Sequence, residues 1–185
     1  MRMNTGDHFE ADQGIAGVSI RLPRPEDGPR VWRLVTATGA LDNNSLYANL
    51  LQCSHFTTTC ALAEIDGEIV GWMSAYVPPR QPDTLFVWQI CVADAARGQG
   101  LAQRLISAVL ARSENAALHH VECTITPSNS ASWALFGKVA DTLQADLKSQ
   151  PHFLSETHLS GLQESEMRVT IGPFETVPAR LPVSA

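Results

Sequence analysis

The chain has 185 residues, 44% of them apolar, a formal net charge of −6 and a mean hydropathy of −0.04. That length suffices for one domain with a single buried core, and the acidic balance argues against a general role on nucleic acid or an anionic membrane surface. No apolar run is long enough to span a bilayer, residues 1–17 contain no apolar signal core, and the four cysteines form no C-x-x-C pair, which together predict reduced, buried thiols in a cytoplasmic protein.

Residues 18–22 predict a short strand that Pro23 and Pro25 stop. Pro25-Glu26-Asp27 opens a helix to about Thr38, closed by Gly39. The Asx and Ser residues at 42–45 cap a second helix over residues 45–52. Residues 57–65 and 68–77 predict two strands joined by the tight turn Asp66-Gly67. A proline-rich loop, residues 78–83, leads to residues 84–92, TLFVWQICV, a strand rich in β-branched and aromatic side chains. A helix follows from about Gly98 to Arg112, with Leu101, Leu105, Ala108 and Val109 on one face. Residues 120–125 predict a strand, 130–142 a helix and 166–171 a last strand, while residues 143–165 are polar and show no clear period. The order predicts an α/β fold, a mixed sheet flanked by helices, with one right-handed βαβ unit around the central strand. Residues 18–171 then make a single domain, with residues 1–17 and 172–185 as loose tails.

The junction after the central strand points to chemistry. A strand that feeds a glycine-rich turn and then a helix start is an anion site: orphan N–H groups point outward, the helix dipole favours negative charge, and glycine allows close approach. A pyrophosphate is the natural guest. A Walker loop is excluded because Leu101-Ala102 follows Gly100 where Lys-Ser/Thr is required. The dinucleotide fingerprint is excluded because Gln103 stands in its third glycine position. The six histidines show no metal spacing, and the pair His119-His120 faces opposite ways in a strand; no metal is expected.

The pattern R/Q-x-x-G-x-G/A, filled by Arg97, Gly100 and Ala102, resembles the acetyl-CoA loop of the GCN5-related N-acetyltransferases. The resemblance implies the acyl-CoA N-acyltransferase fold with acetyl-CoA as co-substrate. It implies that Arg97, Gly98, Gln99, Gly100, Leu101 and Ala102 hold the pyrophosphate, and that the amides of Ile90, Cys91 and Val92 hold the pantetheine and polarise the thioester. Asn129 and Ser132 match the family's pantetheine-contacting helix start, though a simple helix cap explains Asn129 as well. Phe136 departs from the pattern: the family often has a tyrosine there to protonate the departing thiolate, and a phenyl ring cannot.

Further segments resemble one branch of the superfamily, the diaminobutyrate acetyltransferases of ectoine biosynthesis, a pathway of osmotic stress. They are D-x-N-S-x-Y at residues 42–47, PDTLFVWQ at 82–89, TPSN at 126–129 and IGP at 171–173. The branch implies acetyl transfer from acetyl-CoA to the 4-amino group of L-2,4-diaminobutyrate, by direct attack in a ternary complex of a homodimeric enzyme. Freeing an alkyl amine's lone pair at pH 7 costs up to about 4–5 kcal/mol, and a nearby carboxylate can hold the amine and take its proton, directly or through water. Asp42 is the first candidate for that contact, with a helix-cap role as its alternative. Glu164 and Glu166 follow, and the IGP anchor aligns Glu166 with a substrate-facing acid; a solvated strand charge is the alternative. Tyr47 is a candidate to hydrogen-bond the substrate, Trp88 a candidate wall of the acceptor pocket, also explicable as core, and Gln89 a candidate to orient the amine, with facing elsewhere from its strand as the alternative. Another amine acceptor (polyamine, protein N-terminus or antibiotic) and a non-catalytic acyl-CoA sensor remain open at this point.

Overall fold

A computed structural model describes residues 17–39 and 44–175. Asp42 lies outside the described residues, as do 1–16 and 176–185. Seven strands form one sheet: β1 (Val18–Arg21), β2 (Ala61–Ile65), β3 (Glu68–Tyr76), β4 (Thr84–Val92), β5 (His120–Ile125), β6 (Leu147–Phe153) and β7 (Glu166–Ile171), in the order β1-β2-β3-β4-β5-β7-β6. Among the described residues only β4 and β5 run parallel; every other pairing is antiparallel.

Helices α1 (Gly28–Thr38) and α2 (Leu46–His55) lie on one face, α3 (Leu101–Leu110) and α4 (Ser130–Leu143) on the other; α5 (Ser155–His158) is a single turn. Val31 and Val35 of α1 and Cys53 of α2 pack on Leu62, Trp72 and Cys91. Leu105, Ile106 and Val109 of α3 and Phe136 and Val139 of α4 pack on Met73, Leu85, Val121, Cys123 and Ile125. The sheet thus separates two cores, and adjacent strand residues point into different ones, as pleating requires.

Several boundaries differ from expectation for identifiable reasons. The strand expected from residue 57 begins at Ala61, because the Arg112 guanidinium binds the carbonyls of Thr57, Thr58 and Cys60 at 3.1, 2.7 and 2.8 Å and holds them in a turn. The helix expected from Gly98 begins at Leu101, since Gly98 and Gly100 sit at φ +76° and +71°. The unassigned stretch holds β6, an edge strand whose polar residues Lys148, Ser149 and Gln150 are exposed and whose Pro151 is tolerated at a sheet edge. The packed chain also runs past Ile171: the Phe174 amide donates to the His119 carbonyl at 2.9 Å and its ring is buried in the α3–α4 core, so the expected tail cannot start at 172.

Cys53, Cys60, Cys91 and Cys123 are all unpaired and buried. Burial pushes the thiols of Cys53, Cys60 and Cys91 up to about 12 and that of Cys123 higher still. At pH 8 the reactive thiolate is then on the order of one part in ten thousand. A disulfide dye should find essentially none of the four in the native protein at pH 8, and all four after denaturation. Rapid native labelling of any one would contradict this burial.

Candidate active site

The pairing of β4 changes along its length. Thr84, Leu85 and Phe86 pair with His120, Val121 and Glu122 of β5, and there the parallel ladder ends. β5 continues with β7 to Ile125, while β4 stays on β3 to Val92. The two strands form a fork. Its closed end is tied by the Asp83 carbonyl, which accepts from the amides of His119 and His120 at 2.8 and 3.1 Å, and by an Asp83–His120 side-chain pair at 3.2 Å.

A bulge helps part them. Ser74 pairs with Gln89 and Ala75 with Val87, so Trp88 is the extra residue. A bulge twists and bends its strand, and here it reverses the alternation: Leu85 and Val87 face α3, but so do Ile90 and Val92. Beyond it, the Ala93 amide donates to Val70 of β3 at 2.8 Å. Alternation of ladder bonds then turns the Cys91 amide toward β3 and leaves those of Ile90 and Val92 directed into the fork. Cys91 is therefore a correction to the expected set: its amide serves the sheet and its side chain the α1–α2 core.

At the open end the chain makes one short turn, Asp94–Ala96, and enters the glycine loop. Arg97 is pinned there: its Nε donates to the Val92 carbonyl at 3.2 Å and its guanidinium pairs with Asp94 at 2.9 Å. A Cβ built on Gly98 or Gly100 meets nothing within 4 Å. Gly100 caps α3 with no side-chain bond, and the first helical bond is Arg104 N–H to the Gly100 carbonyl. Among the described residues nothing accepts from the amides between Gly98 and Gln103. This is an open cradle of orphan donors at a helix N-terminus, with Gln99 exposed beside it, Leu101 anchored in the core and Ala102 half-buried. It fits a diphosphate.

Asn129 caps α4, its Oδ1 accepting from the Ser132 amide at 3.0 Å. That commits one end of the side chain and leaves the amide nitrogen for any ligand contact. Phe136 is 3% exposed and packs in the α3–α4 core, so its position contributes apolar packing rather than a proton donor.

The opposite sheet face carries the acceptor candidates. Trp88 is 53% exposed and meets the Tyr76 ring edge-on at 6.4 Å, and Tyr76 meets Phe86 at 5.3 Å. Trp88 is thus not core. Gln89 is 6% exposed and accepts from Asn44 Nδ2 at 3.2 Å; this ties the chain entering α2, with Tyr47 in its first turn, to the bulge. Tyr47 itself is exposed. Ser74, opposite Gln89, is buried, and among the described residues its hydroxyl has no hydrogen-bond partner. Glu164 accepts from Ser128 Oγ at 2.9 Å, joining the segment before β7 to the start of α4. Glu166 opens β7 opposite Phe153. Asn44, Ser74 and Glu122 are not singled out by the sequence: Ser74 and Glu122 are polar residues within β3 and β5 whose burial only the strand pairing reveals, and Asn44 lies on the chain entering α2. Among the described residues no three His, Cys, Asp or Glu side chains converge on a possible metal site.

Residues 30–140 match the model of the acetyltransferase (GNAT) family. The L-2,4-diaminobutyric acid acetyltransferase of Methylotuvimicrobium alcaliphilum is 46% identical over 162 residues, 88% of this chain and 94% of that protein. That of Halomonas elongata is 49% identical over 158 residues, 85% and 82% of the two chains. The structure of diaminobutyrate acetyltransferase EctA from Paenibacillus lautus, in complex with L-2,4-diaminobutyric acid and coenzyme A, superposes with a TM-score of 0.81 at 39% identity, over 85% of this chain and 95% of that one. A forked central strand, a cradle of unsatisfied amides at its open end and this degree of likeness agree: the chain belongs to the GNAT family of acetyltransferases.

Proposed function

We propose that the protein transfers the acetyl group of acetyl-CoA to the 4-amino group of L-2,4-diaminobutyrate, a step of ectoine biosynthesis. The fork with its free amides is the observation that carries the reading. The amides around Gly98 to Ala102, with Arg97, hold the diphosphate. Those of Ile90 and Val92 hold the arm along β4 and stabilise charge developing on the thioester oxygen, where one lost donor typically costs about 3–4 kcal/mol. Trp88, Gln89 and Tyr47 border the acceptor, and Asp42, Glu164 and Glu166 are the carboxylates proposed to hold its ammonium and take its proton. With Phe136 buried, Ser128, Ser132 or water protonates the departing thiolate, or it leaves unprotonated, its reference pKa being only about 8.5. The resemblance to the diaminobutyrate branch also supports a homodimer acting in the cytoplasm under osmotic stress.

A coupled thiol-release assay over diaminobutyrate, ornithine, lysine and diaminopropionate tests the acceptor. Diaminobutyrate should be preferred at least tenfold, since reactive amine and α-carboxylate must both be gripped. Equal rates on all four would point to a less selective amine acetyltransferase. Tight CoA binding with no turnover on any amine would mark a sensor.

Arg97→Ala tests the cofactor seat. Losing one charge-assisted contact should weaken acetyl-CoA by about 1–2 kcal/mol, roughly tenfold, with little loss of stability, because the Asp94 pair is exposed. Unchanged affinity by calorimetry would remove Arg97 from the site.

A further inference from the structure

On the sheet face opposite α3 and α4, one carboxylate is buried where β4 and β5 part. Glu122 is 7% exposed and is the last β5 residue to pair with β4, opposite Phe86. Its neighbours Val121 and Cys123 point into the α3–α4 core, so alternation turns Glu122 to the other face. Tyr76 lies on that face with Phe86 and Trp88, whose rings each meet its own. Thr170 of β7, its register partner, donates Oγ1–H to Glu122 Oε1 at 2.8 Å. Among the described residues Oε2 accepts no hydrogen bond and no Lys, Arg or His pairs with the carboxylate.

A buried carboxylate that lacks a cation is unfavourable in the resting protein, and such groups are normally paired. Here the missing partner is a cation with N–H donors. The location specifies which. Six residue steps of β4, roughly 20 Å of strand, separate Phe86 from Val92, so an arm anchored at the glycine loop and lying along β4 brings its acyl end toward the apex of the fork. An alkyl ammonium arriving beside that acyl group meets Glu122 and the aromatic row together.

We infer that Glu122 is an acceptor-binding carboxylate: its free Oε2 takes a hydrogen bond from an amino group of the substrate at the apex of the fork, while Thr170 holds Oε1. The inference rests on the diamine acetyltransfer reading above. It adds a contact on the floor of the site, distinct from the carboxylates at 42, 164 and 166.

Glu122→Gln keeps the shape and the Thr170 bond and removes the charge. Steady-state kinetics and calorimetric titration of diaminobutyrate into CoA-saturated protein are compared with wild type. The KM for diaminobutyrate should rise at least tenfold, with a matching fall in measured affinity. The KM for acetyl-CoA should stay within twofold, and Tm should hold or increase. A lowered Tm with both KM values unmoved, or moved together, would give Glu122 a structural role and overturn the inference. Should that variant not fold, Thr170→Val, which frees the carboxylate, must raise the diaminobutyrate KM selectively; no selective change overturns the proposal. Wild-type kinetics judge the parent reading separately: a wild type inactive on every amine removes both, whereas an active wild type with an unaffected Glu122→Gln removes only this one.

Discussion

Gly100→Val is expected to abolish productive acetyl-CoA binding while leaving a folded protein, with an affinity loss above a hundredfold. Gly100 sits at φ +71°, and an L side chain in that left-handed region costs about 1–2 kcal/mol, more for a β-branched one. The built Cβ touches nothing in the protein, so no clash blocks folding. The open space above it is the seat of the diphosphate, and valine's methyl groups would occupy it. If the backbone instead relaxes to negative φ, the cap of α3 is lost and the Leu101 and Ala102 amides swing away. Either way at least two charge-assisted bonds go, each worth about 1.5–3 kcal/mol. Gly67→Val is the matched control: Gly67 has φ +79° and an equally open Cβ, but lies in the β2–β3 turn. It should lose comparable stability and keep its CoA affinity. Equal affinities for the two variants would show that the loop does not hold the diphosphate.

The glycine loop was legible because its chemistry is local: two glycines, an arginine and a helix start state a purpose without any knowledge of tertiary contacts. The bulge was not. TLFVWQICV is apolar on both faces, as a doubly buried strand must be, so its sequence hides the phase reversal at Trp88. With the phase hidden, neither the exposure of Trp88 nor the burial of Gln89 was predictable, and the Cys91 amide was assigned to the cofactor although it faces β3. β6 was hidden for the opposite reason: a polar edge strand buries too little to show alternation. Glu122 was overlooked because a charge in an apolar strand ordinarily faces water, and only the ladder reveals that this one does not. Asn129 did admit two readings, and the cap is formed; a ligand contact adds to it rather than replacing it.

Arg21→Leu should give the largest loss of stability, about 3 kcal/mol at neutral pH, or roughly 6–12 °C in Tm for a chain of this size. Arg21 grips two carboxylates at once: Nε and a terminal nitrogen bind Glu64 at 2.9 and 2.8 Å, and both terminal nitrogens bind Asp27 at 2.7 and 2.8 Å. Asp27 is buried, and its remaining partners are the Arg24 amide at 2.8 Å and Arg30 at 3.8 Å. Leucine would leave two partly buried anions facing each other with Arg30 as their one cation among the described residues. Hydrogen bonds from Arg21 hold both carboxyls below their ordinary range. Their contribution is therefore full above the unfolded values near about 4 and is lost as pH falls through the lower folded values. The gap between wild type and variant must be widest near pH 7 and shrink below about pH 4. Arg21→Lys should recover less than half, since one ammonium cannot make both bidentate grips. The cluster joins β1 and β2 to the turn that starts α1, and α1 covers Trp72 and Cys91 beneath the acceptor face. Loosening it should raise the KM for the amine more than that for acetyl-CoA. Urea titrations at pH 7 and pH 3 decide the matter: a variant as stable as wild type at pH 7, or a gap that widens on acidification, would rule out the cluster as the clamp on α1.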